Sequence, residues 1–176
     1  GVDSIEMAVF PGCTNLQSVR LEEGATVIGE YMFLECTSLS NVELPSTLTT
    51  IGNGAFKQCA LETVCLPASV DSIGEYAFQN CTALKSVELP AGLKALSRYV
   101  FNGCTSLGSI VLPDGLETIG YSAFSNCTAM TSITMGDKIK SVGDGAFVNC
   151  EALADVCYKG SLSGWMRIDM LADTYP

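Results

Sequence analysis

The chain of 176 residues contains no histidine, a single tryptophan and only nine Lys and Arg residues. Without histidine, neither a Ser-His-Asp triad nor a Cys-His pair can form, which excludes the common arrangements for nucleophilic catalysis. The scattered basic residues cannot neutralise a row of phosphates, so we expect no nucleic-acid partner. No apolar run reaches the length of about 18 residues that a membrane span requires, and we expect no membrane insertion. The net charge of −10 is interpreted as an aid to solubility.

Motifs for metals and cofactors are missing as well. The sequence has no Cys-x-x-Cys pair and no histidine to complete a zinc site, and its carboxylates do not converge in an evident pair. The segment Gly160-Ser-Leu-Ser-Gly164 is not a nucleophile elbow, because its central residue is Leu162. Two glycosylation sequons, at Asn80 and Asn126, fall on a repeat position and are interpreted as coincidence. We therefore expect no metal, no cofactor and no enzymatic activity.

What the sequence does contain is a regular pairing of phenylalanine with cysteine. Every phenylalanine precedes a cysteine by three residues, and successive pairs are separated by 23, 23, 22, 23, 23 and 23 residues. A period in this range predicts a solenoid, in which each coil buries its apolar face only by stacking on its neighbours. The pairs are Phe10/Cys13, Phe33/Cys36, Phe56/Cys59, Phe78/Cys81, Phe101/Cys104, Phe124/Cys127 and Phe147/Cys150.

The repeat changes the interpretation of the cysteines. Seven of the nine occupy one equivalent position, where a small and weakly polar side chain suits the interior of a stack. We predict that these seven form a column of buried free thiols, and a disulfide between repeats is the alternative. Cys65 and Cys157 share a different position, and the pattern does not decide whether they are exposed.

Each repeat combines a strand pattern with a turn pattern. Val87 and Leu89 alternate with polar Ser86 and Glu88, which predicts a strand with one buried face that stacks in parallel on its equivalents. The pattern Gly-x-x-Ala-Phe-x-x-Cys follows, for which we predict one or two short α or 3₁₀ turns, with glycine relieving the corner and each Phe packed on the next. One residue is missing near Cys59-Ala60-Leu61 and should shorten only a turn.

The pattern changes towards both ends of the chain. It starts in mid-repeat near Ile5, so a preceding coil or cap is expected. After residue 157 the repeat gives way to a segment that contains the only tryptophan, Trp165. We predict a solenoid over residues 1–157 and, within the same domain, a capping segment over residues 158–176 that covers the apolar edge of the last coil.

The segments Leu84-Lys-Ser-Val-Glu-Leu-Pro90 and Ser72-Ile-Gly-Glu-Tyr-Ala-Phe-Gln-Asn-Cys81 resemble the BspA-like leucine-rich repeats, also called the Treponema pallidum type. The resemblance covers roughly residues 5–160, and the tail Tyr158–Trp165 is similar to the usual end of such arrays. It implies an α/β repeat fold: a right-handed leucine-rich-repeat solenoid of about seven 23-residue coils, with a parallel sheet on the concave side and short helical or 3₁₀ turns. It also implies a secreted or surface-attached bacterial protein, and for several members adhesion to host matrix proteins or to other cells.

Two surfaces are candidates for binding. Outward strand positions should line the concave face as a shallow groove that recognises a protein or a glycan, although a bland solvated sheet is the alternative. The candidate residues there are Asn41, Glu43, Thr63, Ser86, Glu88, Ser109, Ser132 and Thr134. An aromatic stripe before the Ala-Phe motif is the second surface, with packing against the corner as the alternative; its tyrosines are Tyr31, Tyr76 and Tyr99.

The leading hypothesis is a monomeric, non-enzymatic binding module of a secreted or surface bacterial protein, with adhesion as its candidate role. Its partner would be a host or bacterial surface protein or glycan. The alternative is a rigid structural spacer that presents another domain of a larger surface protein.

Overall fold

The computed structural model describes residues 9–172, with side chains described through residue 170. The chain forms a parallel β-solenoid of about six coils of about 23 residues, one fewer than expected. The start of the pattern near Ile5 lies outside the described residues. Each coil contributes a longer strand and then a shorter one, and a seventh pair of strands, β13 and β14, follows the sixth coil. The longer strands are β1 (Ser18–Arg20), β3 (Asn41–Glu43), β5 (Thr63–Cys65), β7 (Ser86–Glu88), β9 (Ser109–Val111), β11 (Ser132–Met135) and β13 (Asp155–Tyr158). The shorter strands are β2 (Val27–Ile28), β4 (Thr50–Ile51), β6 (Ser72–Ile73), β8 (Ala95–Leu96), β10 (Thr118–Ile119), β12 (Ser141–Gly143) and β14 (Asp169–Ala172).

Parallel pairing of equivalent strands is confirmed. Ser18 lies opposite Asn41 and Ser132 lies opposite Asp155, so the register follows the sequence repeat. The longer strands pair as β1–β3, β5–β7 and β9–β11–β13, and the shorter ones as β2–β4–β6 and β8–β10–β12–β14. Within β5, β7 and β9 the central residue is buried and its two neighbours are exposed, as the alternation predicted.

The segment around each phenylalanine forms turns rather than the expected helical turns. Tyr99 N–H donates to Tyr121 O at 3.0 Å, Phe101 N–H to Ala123 O at 2.9 Å and Gly103 N–H to Ser125 O at 2.8 Å. The same set of three hydrogen bonds to the next coil, which we call the turn ladder, is made by five successive coils, those that contain Phe33, Phe56, Phe78, Phe101 and Phe124. Two residues per coil, such as Tyr99 and Gly103, have φ values of +57° and +74°. The left-handed conformation turns the chain away from a helix, which is the physical reason for the correction.

The phenylalanines and cysteines form two columns inside the stack. Successive phenyl rings are stacked, with centroids 5.4–5.8 Å apart, which confirms the predicted packing of each Phe on the next. Each thiol donates to the carbonyl oxygen of the phenylalanine in the preceding coil, at 3.0–3.2 Å from Cys36 to Cys150. The thiol position therefore requires a small donor that tolerates burial.

Thiol burial depends on position along the stack. All nine cysteines are free, and five members of the column are buried, namely Cys36, Cys59, Cys81, Cys104 and Cys127. The prediction of a buried column is wrong at its ends, because Cys13 is exposed and Cys150 is only partly buried. The described part of the chain places no coil on the outer side of Cys13. Cys65 and Cys157 are both exposed.

The glycine before each turn is explained by a close approach between coils. A Cβ atom on Gly120 would lie 2.7 Å from Leu96 O, and one on Gly52 would lie 2.7 Å from Glu30 N. Neither glycine has a positive φ. The expectation that glycine relieves the corner is thus replaced by a different constraint: the backbones of adjacent coils leave no room for a side chain.

Both strand columns are interrupted within the described residues. The longer strands do not pair between β3 and β5, where one coil is a residue short, or between β7 and β9. The shorter strands do not pair between β6 and β8. At that last position Ser97 replaces the close-approach glycine, and its hydroxyl donates to Ile73 O. The phenyl column and the turn ladder continue through all three interruptions, so the stack survives the short coil as expected.

The segment after β13 folds back over the last coil. It contains helix α1 (Leu162–Trp165), whose N-cap Ser161 accepts a hydrogen bond from Gly164 N–H at 3.1 Å. Trp165 packs edge-on against Tyr158, with ring centroids 5.5 Å apart, and Ile168 is buried. Strand β14 then pairs in parallel with β12. The capping function of residues 158–176 stays a prediction.

Replacing Gly120 by alanine is expected to destabilise the fold by about 1–3 kcal/mol, because the added methyl group collides with backbone of the preceding coil. Gly92→Ala is the matched control, since nothing lies within 4 Å of its Cβ position and its φ is not positive. Urea unfolding measures both variants. Equal stability of Gly120→Ala and wild type would contradict the close-approach explanation.

Thiol labelling with a disulfide reagent at pH 8 is expected to modify the exposed Cys13 and Cys157 rapidly in the folded protein, and the exposed Cys65 more slowly because its hydrogen bond to Glu88 raises its pKa. The five buried thiols should react only on unfolding, because burial raises the pKa of Cys81 and of Cys127 to about 12. Cys150 should react at an intermediate rate. Peptide mapping by mass spectrometry assigns the labelled positions, and rapid labelling of Cys104 would contradict the structure.

The free energy of unfolding is expected to fall as the pH rises above about 9. A thiol in the unfolded chain has a pKa of about 8.5, whereas burial raises the pKa of Cys81 and Cys104 in the folded protein. Their contribution to stability is therefore complete below the unfolded pKa and is lost progressively as the pH rises above it towards the folded pKa. Each buried thiol contributes a slope of about 1.4 kcal/mol per pH unit. A Cys81→Ala/Cys104→Ala variant should show a shallower slope in urea unfolding with reductant, and an unchanged slope would refute this linkage.

Candidate functional site

The predicted concave positions lie on one face of the solenoid, formed by the outward side chains of the longer strands β1 to β13. We call it the long-strand face. Because equivalent strands stack in parallel, neighbouring rows of side chains along it are about 4.8 Å apart. Six of the eight predicted residues are exposed, and Ser132 and Thr134 on β11 are partly buried. The exposed residues are Asn41, Glu43, Thr63, Ser86, Glu88 and Ser109.

Charge is distributed unevenly on this face. Arg20 contacts Glu43 at 3.7 Å and Glu22 at 3.5 Å, so the first two rows are largely neutralised. Glu88 accepts a hydrogen bond from the Cys65 thiol at 3.3 Å, and this bond raises the pKa of Cys65. None of the ion pairs formed by the described residues includes Glu88. Its carboxylate is therefore available to a cationic group.

A crevice of about 450 Å³ opens between β7 and β9. Its walls are mainly apolar, from Leu89, Val111 and Pro113, and its polar groups include Glu88 and Ser109. Val111, on the edge strand of the sheet β9–β11–β13, is 65% exposed and adds apolar surface at the opening. The crevice lies where the two strands fail to pair, and we call it the β7–β9 crevice.

One side of the crevice is closed by an ion pair that spans two coils. Lys159 Nζ lies 2.7 Å from Asp114 Oδ1, and this carboxylate raises the pKa of Lys159. The intervening coil carries Gly136 at the position that prolines occupy in earlier coils, and Gly136 lies directly beside the Asp114 backbone. A side chain on Gly136 would collide with that backbone, so the glycine permits the close approach of the two coils.

Tyrosines of the predicted stripe occupy a strained backbone position. Tyr31, Tyr76 and Tyr99 have φ values of +52°, +60° and +57°, at the position where Gly54 and Gly145 stand in other coils. Bulky residues rarely adopt this conformation. The ring of Tyr31 fills the space that a side chain on Gly54 would need, so Tyr31 packs against the corner and is separated from the other two.

Tyr76 and Tyr99 are brought together as the spacing suggested. Their rings are stacked with centroids 5.0 Å apart, Tyr121 packs edge-on against Tyr99, and Lys57 Nζ lies 5.6 Å from the Tyr76 ring centre. The flat faces of Tyr76 and Tyr99 are therefore covered by neighbours, and both residues are partly buried. This arrangement favours packing over the recognition of a flat ligand.

Sequence reasoning missed three contributors to these surfaces. Tyr121 and Lys57 occupy different repeat positions from the tyrosine stripe, and the ion pair between Lys159 and Asp114 skips a coil. No periodic signal connects such residues. The left-handed positions were detectable, because one column contains Gly12, Gly103, Asn80, Asn126 and Asn149, the residues that tolerate a positive φ best.

Within residues 9–172, no group of three or more acidic, cysteine or histidine side chains is placed to hold a metal ion. No helix in the described part of the chain is both long and apolar enough to cross a membrane. Among the described residues, the long-strand face is a largely polar surface that includes the β7–β9 crevice with its apolar wall.

Solved structures from three bacteria are similar to the chain. A leucine-rich repeat protein from Eubacterium ventriosum is 28% identical with a TM-score of 0.79, over 95% of this chain and 46% of that chain. A leucine rich cell surface protein from Faecalibacterium prausnitzii is 25% identical with a TM-score of 0.57, over 89% and 63% respectively. The Treponema pallidum leucine-rich repeat protein is 32% identical with a TM-score of 0.54, over 72% and 71%. The chain thus spans less than two thirds of the first two proteins.

No curated protein sequence matches the chain. The profile of the BspA type leucine rich repeat region matches residues 3–128 and 84–165, with six copies. These ranges include almost all of the repeat and agree with the parallel solenoid described above. The chain therefore belongs to the family of BspA type leucine-rich repeat proteins.

Proposed function

We propose that this chain is a non-enzymatic binding module of a secreted or surface bacterial protein, and that it engages a surface protein or glycan as an adhesin. The observation that carries the proposal is the long-strand face, where small polar side chains such as Thr63, Ser86 and Ser109 are exposed in successive rows. Short hydroxyl side chains lose little conformational entropy on contact and can both donate and accept hydrogen bonds.

The proposed location at the cell surface is supported by a similar protein rather than by a signal in this chain. The Faecalibacterium prausnitzii protein is described as a cell surface protein. We extend this location to the present chain and propose that the solenoid acts as a monomer. Residues 158–176 would cover the last coil, as the burial of Ile168 supports.

The test is binding of the purified chain to immobilised matrix proteins and mucin glycans, measured by surface plasmon resonance over a range of salt concentrations. The affinity of a Ser86→Arg/Glu88→Arg variant should be lower by about tenfold or more, because two large cations then occupy the centre of the long-strand face. Circular dichroism checks that the variant is folded.

The matched control is Ser72→Arg/Asp71→Arg, which makes the same kinds of substitution at exposed positions beside β6, on the shorter-strand column. Loss of binding in the first variant alone supports the proposal. Equal loss in both variants would indicate a response to net charge, and no saturable binding by the folded wild type would favour a rigid spacer.

A further inference from the structure

We propose that the β7–β9 crevice is a recognition pocket for an arginine side chain of a protein partner. This inference rests on the proposed function, because it specifies the chemistry that the long-strand face selects. It depends on three features of the crevice: an open backbone ladder, an apolar wall and a carboxylate that forms no ion pair with another described residue.

The backbone ladder is open at the end of these strands. In adjacent coils Leu66 N–H donates to Glu88 O at 3.4 Å and Leu112 N–H donates to Thr134 O at 2.9 Å. No hydrogen bond between described residues joins the equivalent pair, Leu89 N–H and Val111 O. The Val111 carbonyl can therefore accept a hydrogen bond from a ligand.

Apolar surface lines the same opening. Val111 is 65% exposed, whereas the equivalent outward positions in other coils carry polar residues such as Glu43 and Thr134. Leu89 is partly buried, although Leu66 and Leu112 at the same repeat position are buried. A wall of this kind suits the aliphatic stem of a long basic side chain, which covers apolar surface while its charged end stays polar.

The charge of the crevice favours a cationic group at the end of the bound side chain. Asp114 is already paired with Lys159 at 2.7 Å, whereas the Glu88 carboxylate accepts a hydrogen bond from the Cys65 thiol at 3.3 Å and forms no ion pair with another described residue. Since Lys159 also lines the crevice and compensates Asp114, one carboxylate, that of Glu88, is left uncompensated in the lining, and it favours a cationic ligand over an anionic one. A guanidinium presents five donors in a planar fork, so it can pair with Glu88 in a bidentate manner and also donate to Val111 O. A lysine ammonium is a single point charge, and we expect it to bind more weakly.

The probe is the blocked tripeptide acetyl-Ala-Arg-Ala-amide, titrated into the ¹⁵N-labelled full chain at millimolar concentration and followed by amide chemical shifts. Peptides with lysine or the neutral isostere citrulline at the central position serve as comparisons. The expected result is saturable shifts confined to residues around Leu89 and Val111, with affinity decreasing from arginine to lysine to citrulline. Shifts spread over the acidic surface, or equal shifts with arginine and lysine, would overturn the proposal.

Two variants test the pocket itself. Glu88→Gln is expected to weaken arginine-peptide binding about tenfold, because a charge-assisted hydrogen bond is lost, and Val111→Ser should weaken it about threefold through the loss of apolar contact. The matched control Glu151→Gln removes one exposed carboxylate elsewhere and should leave the affinity unchanged. Equal weakening by Glu88→Gln and Glu151→Gln would show a response to net charge and would refute the pocket.

The failure of this inference is distinguishable from failure of the proposed function. If the Ser86→Arg/Glu88→Arg variant loses binding to a matrix protein but the arginine peptide gives no localised shifts, the long-strand face binds and the arginine pocket is refuted. If the peptide binds the crevice but no immobilised partner binds, the pocket is supported and the adhesin proposal fails.

Discussion

The turn ladder beside the phenylalanine column is the interaction on which the rest of the structure depends. Both strand columns are interrupted, but the hydrogen bonds from residues such as Phe78 and Phe101 to the next coil are not. Two left-handed residues in each coil orient these N–H groups along the stack, and the buried thiols add a further bond to each Phe carbonyl. Backbone strain at these positions is offset because each strained residue makes a hydrogen bond that a helical turn would not supply.

Because the phenyl column and the turn ladder are continuous, the strand columns can vary from coil to coil. Ser97 in place of a close-approach glycine, and the coil that is one residue short, each coincide with an opening of a strand ladder while the phenyl stack continues. The β7–β9 crevice is another such opening, and it is where the long-strand face departs most from a uniform sheet. The candidate binding crevice thus lies where the pairing of the strands is interrupted, whereas the phenyl column and the turn ladder, which hold the coils together, continue.

In the aromatic stripe, the repeat pattern predicts which tyrosines meet but not which other side chains surround them. Tyr76 and Tyr99 share a repeat position, and their contact followed from the spacing alone, since equivalent residues of adjacent coils must stack. Their surroundings did not follow. Tyr121 and Lys57 reach the pair from other repeat positions and cover the ring faces, so a surface that looked suited to recognition is largely occupied by packing.

The sequence by itself determined the solenoid, the parallel register, the inward strand residues and the phenylalanine and cysteine columns. It could do so because a period near 23 residues places every repeat position beside its own equivalent. The left-handed turns replaced the expected helical ones because the apolar spacing of Ala, Phe and Cys suits either conformation, and only the bonds between coils select one. Tertiary structure alone decided the β7–β9 crevice, the exposure of Val111 and the contact of Lys159 with Asp114. These features depend on how far adjacent coils separate and how far a side chain reaches across them, which no single repeat encodes.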